Sequence, residues 1–282
     1  LTNEKLETFA AFLKAHGARS AGDLHAVVRE HRDRFPGDGS KFAIGELETS
    51  MKRGLPEEEK AEPWTVNDLL ALASVCERPE EKDRVLHEAG AFFTLARSES
   101  FGGVKCSDVV CTGASCTVSV KNLKGEVRRK TLTLHYEAIP DPPKLRFADE
   151  ETVPLCPVHV FTQLRARAER EQLCNAHKYG KEGGQGIIDE LLTRLGRENY
   201  REGRQRRLFT QHSTRSGGCC CLVKSGLDSD VISAIANWSS DMVNRYAEQV
   251  MTDPARFQVL RFYNPNEFAA RYGGQGLKKR RV

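Results

Sequence analysis

The sequence has no long uncharged apolar run. Nowhere do its 282 residues offer the roughly 18–20 consecutive apolar positions that a membrane-spanning helix needs. Nor does it open on a secretion signal, because "LTNEKLETFAAFLKAHG" is charged and helical in pattern. The first residue is Leu, so the chain is expected to be a piece of a longer product. There is no G-x-x-x-x-G-K or G-x-G-x-x-G loop to cradle a nucleotide phosphate. No internal repeat is visible, and no carboxylate cluster suggests a metal site. Zinc-type cysteine pairs are absent too. Of nine cysteines, Cys106, Cys111 and Cys116 are spaced by five, and Cys219, Cys220 and Cys221 are consecutive. Consecutive helical side chains point in different directions and cannot clamp one ion. These three are expected to be small buried residues in a tightly packed helix. His135, His159 and His177 show no ligand spacing. An odd cysteine count without a secretion signal argues for reduced, intracellular thiols.

What remains is a globular chain. Charged residues make up 29% and apolar residues 39%, and the length suits one large or two modest domains with a real core. The net charge is +4, a weak pointer to an anionic partner. Its distribution says more. "RENYREGRQRRLF" (197–209) and the tail "GLKKRRV" (276–282) concentrate cations, whereas "LPEEEKAEP" (55–63) is acidic. Such basic runs suit phosphate attraction. Taken alone, each reads equally as a solvated face or, for the tail, a nuclear-localisation address.

Periodicity predicts helices through residues 4–54. In the first, Leu6, Phe9, Phe12 and Leu13 form one stripe and Gly17 is a C-cap. The acidic 55–63 run reads as a linker, and Thr65 as the N-cap of "VNDLLALAS". A helix is expected over 82–98. "TVSVK" and "KTLTLHY" alternate and are β-branched, so they predict a small antiparallel sheet with a turn at Lys124-Gly125. "IPDPP" is a loop. Helices follow at "CPVHVFTQLRARAERE" and "GIIDELLTRLGRE", with a Gly- and Lys-rich loop over 178–186 between them. Three short helices occupy 210–250, with Gly226 ending the first and Asp228 or Ser229 capping the second. The fold class is mainly α with one small antiparallel β-sheet. The expected division is a helical unit at 1–60, a larger domain at 65–250 and a carboxy-terminal segment at 251–282.

The stretch "TQHSTRSGGCCCLVKSGLDSDVISAIANWSSDMVNRYAEQV" carries the chemistry. Each of its features has a bland reading. H-x-x-R pairs also occur at His16–Arg19 and His31–Arg34, as helix surface. Tyr246 continues an apolar stripe with Met242 and Val250, and Trp238 sits at a helix end. The small residues after Arg215 let a helix begin in close contact with its surroundings, and a helix N-terminus offers free N–H groups to an anion.

Together these residues resemble the second half of the tyrosine recombinase (phage integrase) catalytic domain. His212 and Arg215 form the H-x-x-R box. Gly226 follows eleven residues after Arg215, Trp238 twenty-three after it, and Tyr246 eight beyond Trp238. The wording "NWSSDMVNRYAEQV" is similar to that of eukaryotic Crypton and DIRS-type mobile-element recombinases. The family also expects an upstream Arg about eleven residues before an Asp that opens the sheet, and Arg97 and Asp108 stand so. It expects a Lys in the following hairpin, supplied by Lys124 with Lys121 as rival. Three positions depart from the pattern. Thr214 replaces the usual Leu of the box, Glu99 is one place early with Ser100 in the acidic position, and Asn237 precedes Trp238.

The resemblance, which covers roughly 65–250, implies a DNA strand exchange. Tyr246 would attack a backbone phosphodiester, forming a 3′-phosphotyrosyl link and releasing a 5′-hydroxyl. No metal, ATP or other cofactor is implied, because bond energy stays in the covalent intermediate and two guanidinium forks, Arg97 and Arg215, neutralise the phosphate. Lys124 would protonate the leaving oxygen, His212 would accept the tyrosine proton or bond the phosphate, and Trp238 would donate its indole N–H. The implied partner is double-stranded DNA, bound by a homotetramer on two sites, with 1–60 as the second jaw of a clamp. Arg204, Arg206 and Arg207 are expected on DNA phosphates, and 252–275 is a candidate link between protomers. No membrane partner is expected, and in a eukaryote the location would be the nucleus. Two alternatives share these residues: a type IB topoisomerase that relaxes DNA, and a catalytically decayed DNA-binding relative.

Overall fold

A computed structural model describes residues 1–16, 22–38, 41–52, 61–121, 131–174, 180–200, 207–236 and 240–260. The chain divides into two compact units, Leu1–Glu59 and Lys60–Val282.

The first unit holds helices α1 (Asn3–Ala15), α2 (Gly22–Arg34) and α3 (Ile44–Lys52). Thr2 caps α1 by accepting the Lys5 N–H at 3.3 Å. Leu6, Ala10 and Leu13 lie on one face of α1, spaced by four and three, and meet Leu24 and Val28 of α2 in a small core. The expected stripe is corrected at Phe12, which is 53% exposed. Its ring lies on the outer side, 4.1 Å from that of His16, and Ala10 takes the inner place. The expected cap at Gly17 lies outside the described residues.

The second unit is built around α5 (Pro79–Thr94), which is buried along nearly its whole length. α4 (Val66–Ser74) precedes it. There Thr65 is the N-cap, as the sequence predicts, and Asp68 completes a reciprocal capping box, with Thr65 N–H on Asp68 Oδ2 at 2.8 Å. After α5 come α6 (Ser98–Gly102), then strands β1 (Val109–Cys111), β2 (Ser115–Lys121) and β3 (Thr131–Glu137) in one antiparallel sheet of that order. β4 (Lys144–Arg146) and β5 (Thr152–Pro154) form a separate antiparallel pair. α7 (Pro157–Arg167) packs on both α5 and the larger sheet, α8 (Gly180–Arg194) on α5, and α9 (Gln211–Lys224) on α5 from another side. α10 (Ser229–Ala236) and α11 (Ser240–Thr252) complete the bundle around α9. Among the described residues no helix is long and apolar enough to cross a membrane.

Several boundaries differ from expectation. α5 ends at Thr94 rather than running to residue 98, because Leu95 takes a left-handed conformation with φ 50°, which breaks the hydrogen-bond ladder. That break places Arg97 on a bend. The Gly-rich 178–186 stretch is partly helical, because α8 begins at Gly180. A β-carbon on Gly184 would meet the Arg84 guanidinium, so glycine there leaves room for that side chain. The turn at Lys124-Gly125 lies outside the described residues. Phe257 and Leu260 are buried in the second unit itself. The described part of the carboxy-terminal segment therefore docks on its own chain.

Candidate active site

The amino-terminal turn of α9 is fixed from several directions. Thr210 is its N-cap: it accepts the His212 N–H at 3.2 Å, and Ser213 Oγ accepts the Thr210 N–H at 2.9 Å. The helix thus begins at Gln211, and Arg215 lies on its second turn rather than at its start. Just before it, the Phe209 carbonyl accepts from Gln185 at 3.1 Å and Asn199 at 3.0 Å. The Phe209 ring stacks on Trp64 at 4.2 Å. The close approach expected from the small residues is present. A β-carbon at Gly217 would overlap the Trp64 carbonyl oxygen, and one at Gly218 the Phe92 carbonyl oxygen of α5. Cys219, Cys220 and Cys221 are all buried, and burial raises their thiol pKa values. They behave as small apolar residues.

This packing brings Arg215 to a pocket. Arg97, Ser100, Arg215, Val120, Leu132 and Ile235 line an open depression of about 520 Å³. Val120 and Leu132 are paired across β2 and β3, so the sheet forms one wall. Ala234, Ile235 and Ala236, at the end of α10, form another. The Arg215 guanidinium donates to the Ala236 carbonyl. Its pKa falls to about 10, chiefly because burial disfavours the cation and next because Arg97 repels it. Two guanidinium groups thus share one depression and raise one another's free energy. An anion between them would relieve that repulsion.

Tyr246 approaches from α11. Its hydroxyl is 3.3 Å from Ser216 Oγ, on the residue next to Arg215. The Ser216 hydroxyl is shared with the His212 carbonyl at 3.0 Å. The serine thus anchors the Tyr246 hydroxyl to α9, where the Arg215 charge also acts on the phenol. Burial raises the Tyr246 pKa, opposed by the Ser216 bond and the Arg215 charge. The phenol stays protonated at neutral pH, and as a nucleophile it needs a proton acceptor. The His212 side chain is exposed, one turn before Arg215.

The departure at Thr214 has a structural counterpart. Thr214 is 1% exposed, and its hydroxyl bonds the Glu88 carboxylate of α5. Glu88 is ion-paired with Arg84, one turn earlier, and both side chains are buried. Burial raises the Glu88 pKa, while Arg84 and Thr214 oppose the rise. A leucine at 214 would leave that carboxylate without this donor. The Thr, the Glu, the Arg and the Gly184 that makes room for it form one buried polar group across α5, α8 and α9.

The structure places Arg97 and Arg215 on one pocket and Tyr246 near Arg215, whereas the His212 side chain is exposed one turn earlier on α9. Lys124, Trp238, Arg204 and Arg206 lie outside the described residues. Lys121 is exposed at the end of β2, opposite Thr131 and next to the pocket residue Val120. Arg207 is paired with Asp189 at 3.0 Å, and its guanidinium lies 5.6 Å from the Tyr200 ring centre. Ser100, in the place of the expected acidic residue, is buried and lines the pocket. Ser216, Glu88, Gln185 and Asn199 were not evident from the sequence. Only Ser216 carried a signal, as the residue one turn beyond His212. Among the described residues no three His, Cys, Asp or Glu side chains gather as a metal ion would require.

No protein-family model matches the sequence, and no curated protein does so. Solved structures do. The fold superposes on a λ integrase fragment, a dimer bound to a COC′ core site, with a TM-score of 0.57. Identity is 12%, over 93% of this chain and 84% of that one. The Tn1549 transposon integrase in complex with transposon right end DNA gives 0.54 at 12% identity, over 90% and 85%. The XerH site-specific recombinase bound to palindromic difH substrate gives 0.45 at 13% identity, over 69% of this chain, and this chain spans only 52% of that one. These neighbours are tyrosine recombinases. The chain has the tyrosine recombinase catalytic fold, mostly helical with small antiparallel sheets, as its sequence pattern implied.

Proposed function

We propose that the chain is a site-specific tyrosine recombinase of a mobile element, which cuts and rejoins DNA through a 3′-phosphotyrosyl intermediate. The observation that carries this reading is the shared pocket of Arg97 and Arg215, tied through Ser216 to the hydroxyl of Tyr246. Two close guanidiniums at the price of mutual repulsion suit a phosphodiester, whose non-bridging oxygens gain charge in the transition state. Tyr246 attacks phosphorus, the 5′-oxygen leaves, and Lys124 or Lys121 from the β2–β3 hairpin protonates it. His212 accepts the phenol proton or bonds the phosphate, and Trp238 donates to an oxygen. A 5′-hydroxyl from a second strand then reverses the attack. The chemistry consumes no ATP and needs no metal.

The affiliation with Crypton or DIRS-type elements rests on the wording "NWSSDMVNRYAEQV". A homotetramer on two DNA sites, with residues 1–60 as the second jaw of a clamp and Arg204, Arg206 and Arg207 on DNA phosphates, belongs to the same reading. So does a nuclear location in a eukaryotic host, or a cytoplasmic one otherwise.

The test is covalent capture. The protein is incubated with fragmented source DNA, denatured in detergent, and protein-linked DNA is recovered from wild type and Tyr246→Phe. Adducts with wild type alone establish the nucleophile, and sequencing them gives the target. DNA binding without adducts from either protein identifies a non-catalytic relative. Equal adducts from both would mean that Tyr246 is a core residue and the nucleophile lies elsewhere.

A further inference from the structure

Away from the pocket, two thiols face one another across the β1–β2 hairpin. Cys111 and Cys116 are direct partners in the antiparallel register, and their sulfurs are 2.9 Å apart. The hairpin turn is closed by Thr112 N–H on the Ser115 carbonyl at 2.7 Å. That bond makes Thr112 and Ser115 the hydrogen-bonded pair, so Cys111 and Cys116 form the adjacent non-hydrogen-bonded one. In such a pair the α-carbons approach to about 4.5 Å and the side chains stand closest. This lies inside the range of about 4.4–6.8 Å that a disulfide needs. No backbone movement is required to join the two sulfurs.

The two thiols are not equivalent. Cys111 is partly exposed and Cys116 is 1% exposed. Bonding from Cys116 holds the Cys111 pKa down to about 7, helped by Thr162 and the Arg165 charge on α7 against burial. Cys116 is shifted the other way, by its bond to Cys111 and by burial. The accessible member is thus the better thiolate and the buried member sits behind it. An accessible attacking thiol with an adjacent resolving thiol is the arrangement of a reactive pair. A third thiol, Cys156, lies close enough to influence Cys116, but it already accepts the Ile139 N–H at 3.2 Å.

We infer that Cys111 and Cys116 form a thiol–disulfide exchange site whose substrate class is small-molecule disulfides such as oxidised glutathione. The Cys111 thiolate attacks one sulfur of the small disulfide, forming a mixed disulfide and releasing one thiolate. Cys116 then loses its proton, attacks the Cys111 sulfur and releases the second thiolate. The protein loses two hydrogens and two electrons, and the small disulfide becomes two thiols. The product ties β1 to β2, the strand whose far end lines the pocket at Val120. The inference does not depend on the proposed recombinase chemistry.

The test titrates the full chain with oxidised glutathione, traps free thiols by alkylation and maps peptides by mass spectrometry. The Cys111–Cys116 disulfide is expected before any other cysteine reacts, and dithiothreitol should reverse it. Cys116→Ser should stop at a glutathione adduct on Cys111. Cys111→Ser should leave Cys116 unmodified. The inference is overturned if wild type stops at the mixed disulfide, if Cys111 pairs with Cys156, or if all cysteines react together. The wild-type map decides the matter even if a variant fails to fold.

Discussion

Replacing Arg215 with glutamine separates a binding cation from a structural one. The guanidinium is 5% exposed, and its pKa is pulled from its ordinary value down to about 10 by burial and by Arg97. That drop corresponds to on the order of 3 kcal/mol lost by the charged form relative to water. Glutamine removes that penalty. It also removes the bond to the Ala236 carbonyl, for which a loss of about 1–3 kcal/mol is ordinary when the donor is charged. The two terms nearly cancel. Urea unfolding of Arg215→Gln in phosphate-free buffer should therefore give a free energy within about 2 kcal/mol of wild type, and in either direction. An anion should distinguish the proteins. If phosphate binds between Arg97 and Arg215, a concentration of about 100 times its dissociation constant stabilises wild type by about 2.7 kcal/mol. Arg215→Gln should lose most of that response, with chloride at matched ionic strength as the control for screening. A variant destabilised by much more than 3 kcal/mol would mean that Arg215 is a structural ion. An undiminished phosphate response would mean that the anion binds elsewhere. Either result refutes the reasoning.

Three further outcomes follow from the geometry. Thr214→Val keeps the volume and removes the donor to the buried Glu88 carboxylate, so chemical denaturation should show a loss of about 1–3 kcal/mol, and a double-mutant cycle with Glu88→Gln should show coupling above about 0.5 kcal/mol. Gly217→Ala drives a β-carbon into the Trp64 carbonyl, and urea titration should show a loss of at least about 1–3 kcal/mol. The Tyr246 pKa is raised in the folded state, so the native protein retains the phenolic proton at a pH where the unfolded chain, near pH 10, gives it up. The stability associated with this group is then complete below that pH and is lost as pH rises above it. The stability difference between wild type and Tyr246→Phe should shift against wild type above about pH 10, and a flat difference would show that the phenol is not shielded.

The main elements were legible because their signals are local. Alternation in "TVSVK" and "KTLTLHY" marks β2 and β3, and Thr65 marks the start of α4. β1, β4 and β5 were not legible. Each has three residues, too few for a period of two to show, and each exists through its partner strand. The end of α5 was misplaced because the helical pattern continues past Thr94, while the left-handed Leu95 that stops it is a tertiary outcome. Arg97, His212, Arg215 and Tyr246 were singled out by their order and spacing, through the family resemblance. Ser216 was missed, since its one signal, a place one turn beyond His212, is weak beside the spacing of the other residues.

The Thr214 departure shows most clearly what spacing cannot deliver. In the sequence it is one residue out of place in a short box, and it reads equally as divergence or decay. In the structure it is one member of four. Glu88 brings a buried carboxylate to the underside of α9, Arg84 pairs with it, Thr214 bonds it, and Gly184 leaves the space that Arg84 fills. A leucine would remove one donor from a buried carboxylate, whereas a threonine supplies it. The residues are 30 to 130 positions from Thr214 in sequence, so no local pattern links them. Random loss of function has no reason to supply three matched partners. Thr214 is therefore a substitution accommodated by its surroundings, made directly beneath the two residues, His212 and Arg215, whose positions the helix start must hold.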